Sequence, residues 1–400
     1  KQYFYPDLPK GYQTTQDKTP ICKGGFVEIK AKDAEPKKIG LTKIHIEEDA
    51  GKSMHLEGGN ESLVDLNRAG TPLIEIVTEP DIRNADEAYA FLTEIRKLVR
   101  YLEICDGNME EGSMRCDVNI SLRPLGQEEY GKKVEVKNLN SFSNVRKAIE
   151  LEYDRQSAIL AAGESVLSET RTFNTVEMRT ASLRTKEDLN DYRYFPEPDL
   201  QPLTISEEWL NTVQKAMPAL PQELHNRFTN QYGLPDYDAS VLTDNKEIAL
   251  FFDDLCQKTK NYKTASNWMM GPVKSYLNEL SLHISDYPLT TEKLAGMIEL
   301  VDSNKVSNLM ATQRIYPEML KNPSKTALLV AQELNLLQDS SDDFIKPLIE
   351  EVLSRFPDKV VAYKAGKTGL LGMFVGEVMK AAKGKADPKK TNEIVAKMLE

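Results

Sequence analysis

A carboxylate inside an apolar strand is costly unless something answers its charge. Leu73-Ile-Glu-Ile-Val77 puts Glu75 in that position, and strand alternation sets it on one face with Leu73 and Val77. Upstream, Ile44-His-Ile-Glu-Glu-Asp-Ala-Gly-Lys52 ends a second strand in three consecutive acids, Glu47, Glu48 and Asp49. Two acid-bearing strands in one domain suit a Mg²⁺ site built from carboxylates, the usual means of holding ATP phosphates.

Two further segments carry polar groups in a strand pattern. Met109-Glu-Glu-Gly-Ser-Met-Arg-Cys-Asp117 leads into Cys116–Leu122, and Val134-Glu-Val-Lys-Asn-Leu-Asn-Ser-Phe142 leads out of another strand. Alternation projects Arg115, Asp117, Asn119 and Ser121 together and sets Glu135 and Lys137 opposite Val134 and Val136. Such a face could bind phosphate and a carboxylate together. The competing reading is a solvated sheet edge laced with ion pairs.

The elements that must position these groups divide the chain. Strands are expected at 25–30, 39–47, 73–78, 116–122 and 133–137, as a half-covered antiparallel sheet. One helix starts at Asn84, capped with help from Glu87, and buries Ala88, Leu92, Ile95, Val99 and Leu102. A second runs from Ser143 to Ala162 with Val145, Ile149, Tyr153 and Ile159 or Leu160 inward, and Gly163 ends it. Beyond Ser206 the spacing is helical, with segments at 242–256, 264–280 and 291–300. Trp268 is a core anchor, Gly372 and Gly376 permit close helix packing, and Gln338-Asp-Ser-Ser-Asp-Asp343 is a linker. The fold class is α+β, and 400 residues require more than one core.

Cys22, Cys105, Cys116 and Cys256 form no Cys-x-x-Cys pair and read as free thiols. The scattered His45, His55, His225 and His283 give no zinc spacing. No Gly-rich phosphate loop or Gly-x-Ser-x-Gly elbow occurs. No apolar run could span a membrane and the start has no signal core, so the expected location is cytoplasmic. Lys1 is not an initiator Met, which points to a natural chain continuing upstream, with part of the site there. Net charge is −11, yet the last 45 residues hold nine Lys against five acids, leaving −15 for the rest. Lys364, Lys367, Lys380, Lys383, Lys385, Lys389 and Lys390 either meet a phosphate backbone or solvate a small helical domain.

Four segments, Leu66–Asp81, Glu110–Leu122, Glu135–Phe142 and Asp191–Asp199, closely resemble the GatB family, the B subunits of the aspartyl/glutamyl-tRNA amidotransferases, in the family's order. The resemblance covers essentially the whole chain. It implies a glutamine-synthetase-like cradle domain over 1–215, an all-helical domain over 216–335 and a YqeY-like tail over 336–400 that helps hold tRNA. It also implies the reaction. ATP phosphorylates the side-chain carboxylate of Glu misacylated onto tRNA(Gln), or Asp on tRNA(Asn), and ammonia displaces the phosphate. The chain is then part of a heteromeric, glutamine-dependent carbon–nitrogen ligase, whose partners are an amidase (the A subunit) and a small third protein (the C subunit).

By resemblance the Mg²⁺ ligands are Glu48 and Glu75, with a His ligand upstream of Lys1. Alternation alone sets Glu47 rather than Glu48 beside His45, and Glu47 and Asp49 otherwise read as solvated surface acids. Glu48, Glu75, Arg115, Asp117 and Lys137 are the expected catalytic residues, and Arg68, Glu111, Ser113, Asn138 and Asn140 the expected ATP-binding ones. Arg115 and Asp117 could equally pair only to fix the sheet. The Asp191–Asp199 motif reads as a loop closing the site, although packing would also explain Tyr192, Tyr194 and Phe195. Two other functions suit the residues: a tRNA-binding adaptor with structural carboxylates, and an ATP-dependent ligase joining an amine to a small acid.

Overall fold

The computed structural model describes residues 1–55, 61–185, 193–338, 341–382 and 385–399. It divides into two compact units, Lys1–Pro218 and Ala219–Glu400, and the first carries all the strands. Its first sheet is built on a long strand. This strand, β3 (Lys37–Glu48), pairs antiparallel with β1 (Cys22–Lys23), β2 (Phe26–Ile29) and, on its other side, β6 (Pro72–Thr78). Between β3 and β6 lies a hairpin of β4 (Lys52–His55) and β5 (Ser62–Asp65).

The second sheet runs β10-β9-β8-β7, where β7 is Cys116–Ile120, β8 Val134–Leu139, β9 Glu169–Asn174 and β10 Arg179–Thr185. It is antiparallel except for β8 and β9, which run parallel, as a connection through a helix permits. Two helices cover the sheets. Helix α1 (Ala85–Tyr101) begins where the Asn84 side chain accepts from the Glu87 amide at 2.8 Å. Glu87 reaches back one residue further than expected, to the Arg83 amide. Helix α2 (Phe142–Ala161) is capped by Ser141.

Phe91 and Ile95 of α1 pack with Val27, Ile29 and Ile39 of the first sheet. Leu92 joins Val134, Val136, Leu139, Val145 and Phe173 of the second core. Two inward positions differ from expectation. Leu102 is exposed, because α1 stops at Tyr101 and Tyr101 takes the buried place. On α2, Tyr153 is exposed and Glu152 and Gln156 are buried instead. The reason is ionic. Glu152 accepts from Arg155 at 2.8 Å and the Thr180 hydroxyl at 2.5 Å and is ion-paired with Arg171 at 3.1 Å, so α2 is fastened to β9 and β10 by charge and hydrogen bonds.

Among the described residues, the regular elements of the second unit are all helices. Phe228 and Phe252 meet edge to face at 4.8 Å, and Trp268 is buried against Tyr316. Pro272 sits in a widened π-helical turn, Met269–Val273, where its carbonyl accepts from the Tyr316 hydroxyl at 3.3 Å. From residue 342 on, the helices share their own core of Ile345, Ile349, Val352, Phe374, Val378, Val395 and Leu399. The expected close packing at Gly372 and Gly376 is absent: a Cβ added at either would meet no atom within 4 Å outside its own helix. Phe374 and Val378, on another face of that helix, make the contact. Residues 339–340 of the expected linker lie outside the described residues. Among the described residues no helix is long and apolar enough to cross a membrane.

Glu152→Ala should lower unfolding stability by about 3 kcal/mol or more, the scale for removing one partner of a buried ion pair. Denaturant unfolding measures it, and a loss near zero would contradict the role of this network.

Candidate active site

The β3–β6 register decides which acids meet. His45 pairs directly with Glu75, so the two side chains share a face, and Glu47 joins them two residues along. The His45 Nε2 lies 3.5 Å from Glu47 Oε2 and 3.6 Å from Glu75 Oε2. The ligand atoms of all three residues fall within 4.8 Å of one another. The His45 and Glu47 side chains are 7% and 10% exposed, whereas that of Glu75 is 51% exposed and forms the open side. The buried His45 Nδ1 has no hydrogen-bond partner. Glu47 also accepts from the Thr15 hydroxyl at 3.1 Å.

Glu48 is placed differently from expectation. It pairs with Pro72, three positions from His45, so alternation turns it to the opposite face from Glu75. There the N-terminal segment takes up its charge: the Thr14 amide donates at 2.7 Å and Lys10 Nζ lies at 2.5 Å. Burial opposes ionisation of Glu48, but these bonds outweigh it and hold the carboxyl below its ordinary value. Glu48 therefore anchors the N-terminal segment to the end of β3, and Glu47 lies on the face that Glu75 shares. Two carboxylates at one opening fit a hard divalent cation, and the imidazole beside them is a third donor. Alternation sets His45 beside Glu47, and only the cross-strand register brings it to Glu75 as well.

Asp49 is no surface acid. It is buried and ion-paired with Arg115, which ties the end of β3 to the segment entering β7. The next turn is tight, since a Cβ at Gly51 would lie 2.6 Å from the Asp65 carbonyl oxygen. Arg115 and Asp117 do not pair with each other. The loop before Arg115 is pinned by Met109 and Met114, both packed into the core, which leaves Glu111, Ser113 and Arg115 outward. Gly112 has φ +83°, and a Cβ there would approach Arg68 Nη1 at 3.3 Å. The loop thus brings Arg68 beside Glu111 and Ser113, and Ser113 hydrogen-bonds Asp106.

On the second sheet, Lys137 Nζ lies 2.6 Å from Asp117 Oδ2 and 3.3 Å from Glu135 Oε1. Burial pulls the ammonium down, but the hydrogen bond and charge of Asp117, then Glu135, outweigh it and hold Lys137 above its ordinary value. Burial likewise opposes charge on Glu135, and Lys137 with the Thr170 hydroxyl (3.0 Å) holds its carboxyl low. Burial and then the Asp117 charge push the Cys116 thiol up to about 12, so it packs rather than attacks. Asn138 donates its side-chain amide to the Phe173 carbonyl at 3.1 Å, and Asn140 is exposed.

Tyr194 and Phe195 are largely exposed, so burial does not account for their motif. Phe195 meets the Tyr12 ring edge to face at 6.4 Å, while Asp191 and Tyr192 lie outside the described residues. In the tail, Lys364 and Lys367 are exposed, Lys380 bonds Glu377 at 2.8 Å, and Lys385 donates to Asn335 at 3.0 Å. Lys383 lies outside the described residues.

Both units match known proteins in sequence. Residues 1–211 match the family described as the GatB/GatE catalytic domain, and residues 250–399 match the family described as the GatB domain. The chain belongs to the GatB family.

At the level of individual proteins, it is 46% identical over 399 residues to the B subunit of the aspartyl/glutamyl-tRNA(Asn/Gln) amidotransferase of Syntrophotalea carbinolica, spanning all of this chain and 83% of that protein. It is 47% identical over 400 residues to the protein of the same name from Staphylococcus haemolyticus, again spanning all of this chain and 83% of the relative.

Replacing Lys137 tests the ion-pair cluster. A carboxyl held low contributes stability above its unfolded pKa and loses it as pH falls through its folded pKa. Lys137→Met leaves Glu135 to burial, which raises its carboxyl instead of holding it low, so stability at neutral pH should fall and the loss of stability on acidification should shrink. An unchanged acid limb would contradict the coupling.

Proposed function

We propose that this chain performs ATP-dependent transamidation on misacylated tRNA, as the B subunit of a heteromeric, glutamine-dependent carbon–nitrogen ligase. The side-chain carboxylate of Glu on tRNA(Gln), or of Asp on tRNA(Asn), is phosphorylated, and ammonia from a partner amidase displaces the phosphate to leave the amide. A carboxylate resists a nucleophile until one oxygen has become a phosphate leaving group. The reading rests above all on His45, Glu47 and Glu75 converging on one sheet face in a chain of this family.

Glu47 and Glu75 would hold Mg²⁺. When bound, the ion neutralises phosphate charge during transfer. Arg115 is half exposed beside Asp49 and has donors left for a phosphate. Arg68, with Glu111 and Ser113 at the Gly112 turn, would bind the nucleotide, as would Asn140 just past β8. Lys137 would offset the charge of the acyl phosphate and Asp117 would orient the incoming ammonia. Glu48 supports the site from behind by fixing the strand end. We assign 1–215 to a glutamine-synthetase-like cradle, 216–335 to a helical domain and 336–400 to a tail. In the tail, Lys364, Lys367, Lys380, Lys383 and Lys385 would meet the tRNA backbone. An amidase (the A subunit) and a small third protein (the C subunit) complete the assembly, which would work in the cytoplasm.

The test is ATP consumption and amide formation by the complete heteromer with each misacylated tRNA. Glu75→Ala should cut amide formation about a hundredfold or more, the scale for removing electrostatic stabilisation of a transition state. It should leave tRNA affinity nearly unchanged. Amide formation that survives the substitution would remove Glu75 from the site. Absence of ATP consumption in the wild type would make the chain an adaptor, and consumption indifferent to tRNA would make it a ligase for a small acid.

A further inference from the structure

Strand β8 does not alternate regularly. Val134, Val136 and Leu139 are all buried, so the last step between core positions spans three residues instead of two. The register with β7 shows where the extra residue sits: Val118 pairs with Val136, but the next pair is Cys116 with Leu139. Lys137 and Asn138 together therefore stand opposite Asp117, as a β-bulge. Asn138 has φ +64°, the left-handed region that Gly and Asn tolerate and β-branched residues do not. Its side-chain amide bonds the carbonyl of Phe173, one residue beyond the last β8–β9 pair, Lys137 with Thr172. The backbone conformation is thus clamped from both neighbouring strands.

We propose that Asn138 is a positioning residue for Lys137: its left-handed backbone forms the bulge that keeps Leu139 in the core while Lys137 reaches Asp117 and Glu135. Asn138, expected from the sequence to bind ATP, acts instead through the strand, where its side-chain amide is taken up by the Phe173 carbonyl. Without the bulge the chain past Val136 would slip by one position, and a one-residue slip turns every following side chain to the other face. Either Leu139 would leave the core or the pairing of Lys137 with Asp117 would shift. The proposal deepens the functional reading above, and rests on it only for the consequence in catalysis.

Two readouts separate position from chemistry. One is the rate at which an amine-acylating reagent labels Lys137, followed by peptide mass spectrometry. The other is kcat and KM for tRNA-dependent ATP consumption, both on the complete heteromer. Asn138→Val should speed labelling about tenfold, equivalent to releasing the ammonium by one pKa unit. It should lower kcat about tenfold with KM for tRNA within about threefold, the pattern of a lost transition-state interaction. Asn138→Gly, which keeps the left-handed backbone and loses the side chain, should stay close to wild type in both.

If Asn138→Gly loses as much kcat as Asn138→Val while Lys137 labelling stays slow, the amide contacts a ligand and the proposal is overturned. Unchanged labelling in Asn138→Val overturns it as well. Should the valine variant fail to fold, Asn138→Ala imposes a milder penalty at the same φ and must show the same order, Ala faster to label than Gly. Lys137→Met is the control for the reading beneath. If it keeps full kcat, the catalytic role of Lys137 fails, and the labelling rates still decide what Asn138 does.

Discussion

The antiparallel pairing of β3 with β6 is the constraint on which the rest of the first unit depends. Directly opposed residues share a face, so the pairing of His45 with Glu75 gathers an imidazole and two carboxylates, while Glu48 must look the other way. A slip by one residue would turn Glu75 toward the other side and leave Glu47 without its neighbour. The surroundings resist such a slip. Ile39, Leu41 and Ile76 pack against α1, and Glu48 is held by Thr14 and Lys10.

The same logic joins the two sheets. Asp49, one residue past β3, is ion-paired with Arg115, one residue before β7. Met109 and Met114 hold the intervening loop in the core, so the polar groups between them are presented outward at a fixed place. Basic side chains answer most of the acids here: Glu48 by Lys10, Asp49 by Arg115, Asp117 and Glu135 by Lys137. Glu75 is the half-exposed acid of the cluster and faces the His45 imidazole across the strand pair, the position that the proposed metal ligation requires.

Much of this was legible in the sequence where a pattern is local. Alternation located β3, β6, β7 and β8 and placed Asp117 and Lys137 on the polar side. The Asn84 cap set the start of α1, and the isolated acid in β6 marked the sheet face where His45, Glu47 and Glu75 meet. What was lost required knowledge of the partner strand. Nothing within Ile44–Lys52 says that His45 faces Glu75, so family resemblance pointed to Glu48. Strands β9 and β10 were missed because Glu169-Thr-Arg-Thr-Phe-Asn174 turns Glu169 and Thr170 inward to answer Arg171 and Glu135, and no apolar alternation remains to be read. For the same reason α2 hides Glu152 and Gln156, where an apolar stripe would have placed Tyr153 inward.

The face assignment is tested most directly by Mn²⁺ binding to the complete heteromer with ATP, followed by electron paramagnetic resonance. Glu47→Gln and Glu75→Gln should each weaken binding about tenfold or more, on the scale of losing a charged ligand from a metal site, while Glu48→Gln should leave it nearly unchanged. If Glu48→Gln weakens Mn²⁺ binding and Glu47→Gln does not, the β3 end is turned the other way in the working enzyme and Glu47 has no claim to the ion.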